Sequence, residues 1–138
     1  MTNYKSLKLG LINRVMLKGK KWKSEIILNK NFKLIQKKKK KKKLENIIKL
    51  SIINSSPYFS IKKLQRKKKN PIEFPFLLSK QNRVMFGLKN LTKNSCHRKL
   101  SFEVLGSSNR EGLTVSGKKN LHKESFLRKK VANYRWFL

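Results

Sequence analysis

Aspartate is absent from this chain of 138 residues, and its six acidic side chains are all glutamate. Those glutamates are scattered from Glu25 to Glu124, so no carboxylate pair is placed by the sequence to share general acid and base work. A single cysteine, Cys96, excludes an internal disulfide and suits a reducing compartment. It stands beside His97, with His122 as the other histidine. Without a second cysteine or a C-x-x-C spacing, this does not make a zinc site, and neither metal nor cofactor is expected. Glycine is sparse, and no phosphate-cradling loop, H-E-x-x-H helix or nucleophile elbow occurs, so the chain is not expected to be an enzyme. Gly19-Lys20-Lys21 lacks the earlier glycine and the preceding strand of a P-loop. No run approaches the roughly 18 apolar residues that cross a bilayer, so membrane insertion is not expected.

What is abundant is positive charge. Lysine and arginine number 37 against the 6 glutamates, for a formal net charge of +31. Self-repulsion of that size works against a compact state until a polyanion neutralises it, and nucleic acid is the commonest polyanion. Only one alanine, Ala132, occurs, while Lys, Asn, Ile and Phe are plentiful. These favoured residues have A/T-rich codons, which points to an AT-biased genome such as an organelle's.

The length suits one domain, residues 1–138, of all-helical or α+β kind. Leu7, Leu11 and Val15, with Ile12 and Met16 beside them, form the stripe of a first helix from Lys5 to Lys18, stopped by Gly19. This basic segment ahead of Glu25 has the composition of a mitochondrial presequence, but its stripe and stop signal favour a structural helix. A second helix is expected from Trp22 to about Ile35 on Leu28, Phe32 and Ile35. Seven lysines, Lys37 to Lys43, follow it. That run repels itself, so residues 36–43 read as a linker, disordered or ordered by RNA. Ile48 and Ile52, with Leu44 and Ile47, mark a third helix that ends before Pro57.

The apolar period then changes to alternation. Tyr58 to Leu64 and Ile72 to Leu78 read as the strands of a β-hairpin arm, residues 58–78, with residues 65–71 as its cationic tip. Pro75 requires an edge strand, and a lone hairpin must lean on the helices or on a partner. Ser79 is placed to cap a fourth helix running to about Asn94. Val84, Leu88 and Leu91 are its stripe, and Arg83 and Lys89 lie on other faces. A fifth helix is expected from Lys99 to about Arg110, ended by Gly112. Beyond it the chain reads as extended until a last helix near His122 to Asn133. Trp22, Phe74 and Phe126 are expected in the core.

The cations concentrate in three places: Lys18, Lys20, Lys21 and Lys23; the hairpin tip with Arg66, Lys67, Lys68 and Lys69; and the stretch from Lys118 to Arg135. The last contains Lys118, Lys119, Lys123, Arg128, Lys130 and Arg135, with His122 among them. Tyr134 and Trp136 bracket Arg135. Cations interleaved with flat rings suit a surface that holds a phosphate backbone and stacks on bases.

The segment Gly112 to Trp136 resembles the C-terminal signature of the small-subunit ribosomal protein seven family. Val115, Lys118, His122, Lys123, Ala132-Asn133 and the Tyr134-Arg135-Trp136 ending carry the likeness. Asn13 to Lys21 is similar to the family's first helix, with its Asn-x-x-Met-x-x-Gly-Lys-Lys pattern. Pro57 and Pro75 fall where the family places prolines before and within its hairpin, and Arg83 matches a helix-four arginine. The glycine pair usual at the hairpin tip is replaced here by Lys67 to Asn70. The resemblance implies a mainly α fold, a bundle of about six helices with a protruding two-stranded β-hairpin. It implies a structural constituent of the small ribosomal subunit that binds head-domain rRNA and nucleates head assembly. The rRNA-binding set would comprise Lys18, Lys20, Lys21, Arg83, Lys89, Lys118, Lys119, His122, Lys123, Arg128, Lys130, Tyr134, Arg135 and Trp136. The hairpin would point toward exit-site tRNA and mRNA, with neighbouring small-subunit proteins as further partners. The Tyr-Arg-Trp ending and the composition favour a mitochondrial ribosome over a plastid one.

Charge alone also fits a histone-like protein that condenses nucleic acid without sequence preference. That reading needs no ordered hairpin. A cationic amphipathic membrane peptide would need cleanly separated basic and apolar faces, whereas these cations fall in loops and on a hairpin tip.

Overall fold

A computed structural model describes residues 4–40, 43–66, 69–95 and 100–137; for Arg66, Lys69, Arg135, Trp136 and Phe137 the backbone alone is described. Six α-helices and a two-stranded sheet follow one another as α1 Tyr4–Val15, α2 Lys21–Lys38, α3 Leu44–Ser55, β1 Phe59–Arg66, β2 Lys69–Leu77, α4 Lys80–Asn94, α5 Leu100–Ser108 and α6 Leu113–Leu127. A 3-10 segment, Lys129–Phe137, ends the chain. The mainly helical bundle with a two-stranded hairpin is thus the fold.

The apolar stripes meet in one core. Leu7, Leu11, Ile12 and Val15 of α1 pack with Leu28, Phe32 and Ile35 of α2, Ile47, Ile48 and Ile52 of α3, Leu88 and Leu91 of α4, and Leu100, Val104 and Leu105 of α5. Burial of these side chains is what holds the five helices together, at about 1.5–3 kcal/mol for each fully buried aliphatic group. Two polar links, one buried and one partly buried, fix helix against helix. Ser51 and Ser107 hydroxyls lie 2.7 Å apart between α3 and α5, and Asn31 of α2 accepts the Ser101 backbone N–H at 3.0 Å. Ser79 caps α4 by accepting the Asn82 N–H.

Boundaries differ from expectation at α1, at α2 and at the hairpin tip. α1 stops at Val15, and Lys18 and Gly19 both take positive φ in the turn to α2. α2 continues through Lys37 and Lys38, with Lys39 donating its backbone N–H to Ile35 O. The negative end of the helix dipole accommodates cations in its last turn, which outweighs their mutual repulsion. Lys41 and Lys42 lie outside the described residues. The hairpin ladder runs on to an Arg66 and Lys69 rung, with an irregularity between Leu64 and Arg66, because backbone pairing does not depend on side-chain charge. At the base, Leu78 N–H to Tyr58 O adds a rung beyond the strands, giving the arm the expected span.

The largest departure is α6. The stretch read as extended is helical from Leu113. Gly112, which was expected to end the fifth helix, instead starts the sixth, at φ 97° and ψ 170°. Beyond it the buried Glu103 carboxylate accepts the Thr114 backbone N–H at 2.8 Å and also its hydroxyl. A carboxylate at the positive end of the helix dipole, supplied from α5, starts a helix whose own sequence is a poor starter. The expected last helix, His122 to Asn133, becomes the end of α6 and part of the 3-10 segment.

Of the three aromatics expected in the core, only Phe74 is there, fully buried apart from the main helical cluster. Trp22 is 72% exposed and Phe126 is 74% exposed. Their spacing follows a helix face, but both rings remain open to solvent.

Candidate nucleic-acid interface

The root of the hairpin is where the cations converge. Tyr58 follows the buried Pro57 at the exit of α3. Its ring has the Arg83 guanidinium of α4 3.7 Å from its centroid and the Lys118 ammonium of α6 at 5.6 Å. Its backbone N–H donates to His122 Nε2 at 3.1 Å. The His122 ring lies 5.9 Å from the Tyr58 ring and edge-on to Phe59 at 5.8 Å. Lys118 and His122 are four residues apart, hence on one face of α6.

No carboxylate balances this group. Among the described residues, the ion pairs are Lys63–Glu73 at 2.8 Å, Arg128–Glu73 at 2.8 Å and Arg128–Glu124 at 3.5 Å. None involves Arg83 or Lys118. The Arg83 Nε is buried without a hydrogen-bond partner. Lys118 donates to the carbonyls of Asn54 at 3.0 Å and Ile53 at 3.4 Å, capping the negative end of α3. An ammonium has three donors, so one remains for a ligand.

The electrostatics register the crowding. Burial, and after it the charge of Arg83, pulls the Lys118 amine below the ordinary lysine value. Burial, then Lys118, then Arg83 lower the His122 imidazole, so neutral pH leaves it uncharged. With Nε2 accepting from Tyr58, its proton sits on Nδ1 as a donor. Two fixed cations, a further N–H donor and an aromatic platform make a seat for an anion.

The expected site residues divide by place. Arg83, Lys118 and His122 come together. Lys119 and Lys123 are exposed on α6, Lys89 is exposed on α4, and Lys130 is exposed in the 3-10 segment, where Tyr134 is half-buried. Lys18, Lys20 and Lys21 are exposed on the separate α1–α2 turn, alongside Lys23 and the exposed Trp22. Arg128 stands apart in role, because Glu73 and Glu124 already hold it. The hydrogen bond and charge of Lys63 keep the Glu73 carboxyl below its usual range against the opposing effect of burial, with a lesser contribution from Arg128. The side chains of Arg66, Lys69, Arg135 and Trp136, and all of Lys67, Lys68, Cys96 and His97, lie outside the described residues. Tyr58 was missed from the sequence, where it passed for an ordinary strand residue. An aromatic placed directly after a proline at a strand's root was the available signal.

Among the described residues no group of three His, Cys or Glu side chains could hold a metal, and no helix is long and apolar enough to cross a membrane. Fold and site together define a basic helical protein with a hairpin arm and an unneutralised cationic cluster at its root. The family described as ribosomal protein S7p/S5e matches residues 2–126. The chain is also 30% identical over 133 residues to the small ribosomal subunit protein uS7 of Heliobacterium modesticaldum, covering 91% of this chain and 84% of that protein. The chain belongs to the S7p/S5e family of ribosomal proteins, and its role is that of a structural constituent of the small ribosomal subunit.

Proposed function

We propose that this protein binds the rRNA of the small-subunit head and organises it during assembly, with the Tyr58, Arg83, Lys118 and His122 cluster as a principal phosphate seat. The observation that carries this is the meeting of Arg83 and Lys118 on one tyrosine ring without a carboxylate. Like charges held together gain from a shared phosphate, whose oxygens accept from both. The exposed lysines of α6 and of the α1–α2 turn extend the basic surface to further phosphates. The hairpin, rooted at the same cluster, extends toward exit-site tRNA and mRNA, and neighbouring small-subunit proteins complete the surroundings. The A/T-favouring composition supports an organelle ribosome, mitochondrial ahead of plastid.

Footprinting on small-subunit rRNA tests the reading. Protection should fall on a compact junction in the head, and Arg83→Met with Lys118→Met should remove part of it. Uniform protection along the RNA, insensitive to both substitutions, contradicts it and favours nonspecific condensation.

A further inference from the structure

Between the hairpin base and the end of α6 lies a groove of about 400 Å3, bordered by Phe59, Pro75, Leu77, His122, Phe126 and Lys129. Phe59, Leu77 and Phe126 are all exposed there, so three large apolar side chains border one groove. One face of α6 leads into it: Lys119, His122, Lys123 and Phe126 recur at i, i+3, i+4 and i+7, two exposed lysines flanking the imidazole and an exposed ring last.

Resting on the rRNA-binding role proposed above, we propose that this groove takes one unpaired nucleobase, stacked on Phe126, while the flanking phosphates lie on Lys119, Lys123 and Lys129. Charge complementarity selects the occupant. The nearby carboxylates, Glu73 and Glu124, are held by Lys63 and Arg128, so the cations left along the groove face a polyanion. The apolar floor selects the base rather than the backbone. A paired base in an A-form stem keeps its faces stacked inside the helix, whereas an extrahelical base offers them. The neutral His122, with Nε2 taken by the Tyr58 amide, holds a donor on Nδ1 for a base carbonyl or a phosphate oxygen. The groove and the phosphate seat therefore share a histidine, and one nucleotide beside a stem can engage both.

Full-length protein is titrated with a short RNA stem carrying one bulged 2-aminopurine, and with the same stem fully paired. The wild type binds the bulged stem more tightly, by roughly 5- to 150-fold, and quenches the 2-aminopurine on stacking. Phe126→Ala removes both the preference and the quench while keeping salt-dependent binding to the paired stem; Phe126→Tyr retains all three. Because Phe126 is exposed, circular dichroism should be unchanged in both variants. Equal affinity for the two stems without quenching overturns the base pocket but leaves the phosphate seat standing. Weak binding to both with no salt dependence defeats the rRNA-binding role itself. A Phe126→Ala variant that keeps the bulge preference yet fails to enter the small subunit would instead make the groove a protein-docking surface, and would overturn the proposal.

Discussion

His122 Nε2 accepts the backbone N–H of Tyr58 at 3.1 Å, tying the middle of α6 to the root of the hairpin arm across 64 residues of sequence. The bond requires an unprotonated nitrogen, so the seating of the arm is linked to the charge state of one imidazole.

The sign of that linkage follows from the lowered His122 pKa. The unfolded chain binds the proton at about pH 6.5, the folded chain only at lower pH, so the contribution to stability is complete above 6.5 and is lost as pH falls toward the folded value. Lys118 and Arg83 face the ring and oppose its protonation, while burial acts in the same direction. Titration of the free protein by NMR should place His122 below the ordinary imidazole value, with the Tyr58 amide resonance moving in step. His122→Ala should cost about 1 kcal/mol at neutral pH and flatten the stability profile below pH 6.5.

Arg83→Met tests whether the cluster serves binding or folding. The stacked guanidinium is worth about 0.5–1 kcal/mol to the fold, so the free protein should change little by thermal denaturation. Affinity for head rRNA should fall about tenfold, with the salt slope reduced by about one. The Lys118 amine, relieved of its neighbour, should titrate at higher pH than in the wild type.

Phe74 and Trp22 should separate sharply in stability. Phe74→Ala empties a fully buried position and should cost about 3–5 kcal/mol, whereas Trp22→Ala on an exposed face should stay within about 0.5 kcal/mol. Chemical denaturation of both variants checks this. From sequence the two look alike, each being a large aromatic at a plausible interior spacing. Only their burial in the fold distinguishes them.

The same distinction runs through the whole chain. Helices α1 to α4 and the hairpin were legible because their apolar periods, the Ser79 cap and the prolines are local signals. The start of α6 was not, since Thr114, Ser116 and Gly117 are indifferent helix formers and the capping Glu103 comes from another helix. The ion pair of Arg128 with Glu73 was not legible because the two lie 55 residues apart. In the cluster, Lys118 and His122 were visible as members of a basic stretch, but their meeting with Arg83 at Tyr58 is a property of the packing alone.

The α5 to α6 junction offers a stability test independent of RNA. Glu103→Ala strips Thr114 of its acceptor and should cost about 2–3 kcal/mol. Gly112→Ala should cost about 1–3 kcal/mol, because its φ of 97° suits glycine and an added Cβ would stand 3.1 Å from the Glu103 carboxylate. Equilibrium denaturation, with loss of helical signal from α6, measures both.

In the proposed function, cations at the hairpin root, together with those of α6, grip ribosomal RNA through its phosphates. The most direct measurement is the salt dependence of binding to small-subunit head rRNA, for the wild type and for Arg83→Met/Lys118→Met. If six to ten phosphates are engaged, affinity should fall by roughly 10³- to 10⁵-fold between 50 and 200 mM salt, and the double variant should lose about two units of log–log slope. A nearly flat titration, or a double variant with the wild-type slope and affinity, would contradict the account.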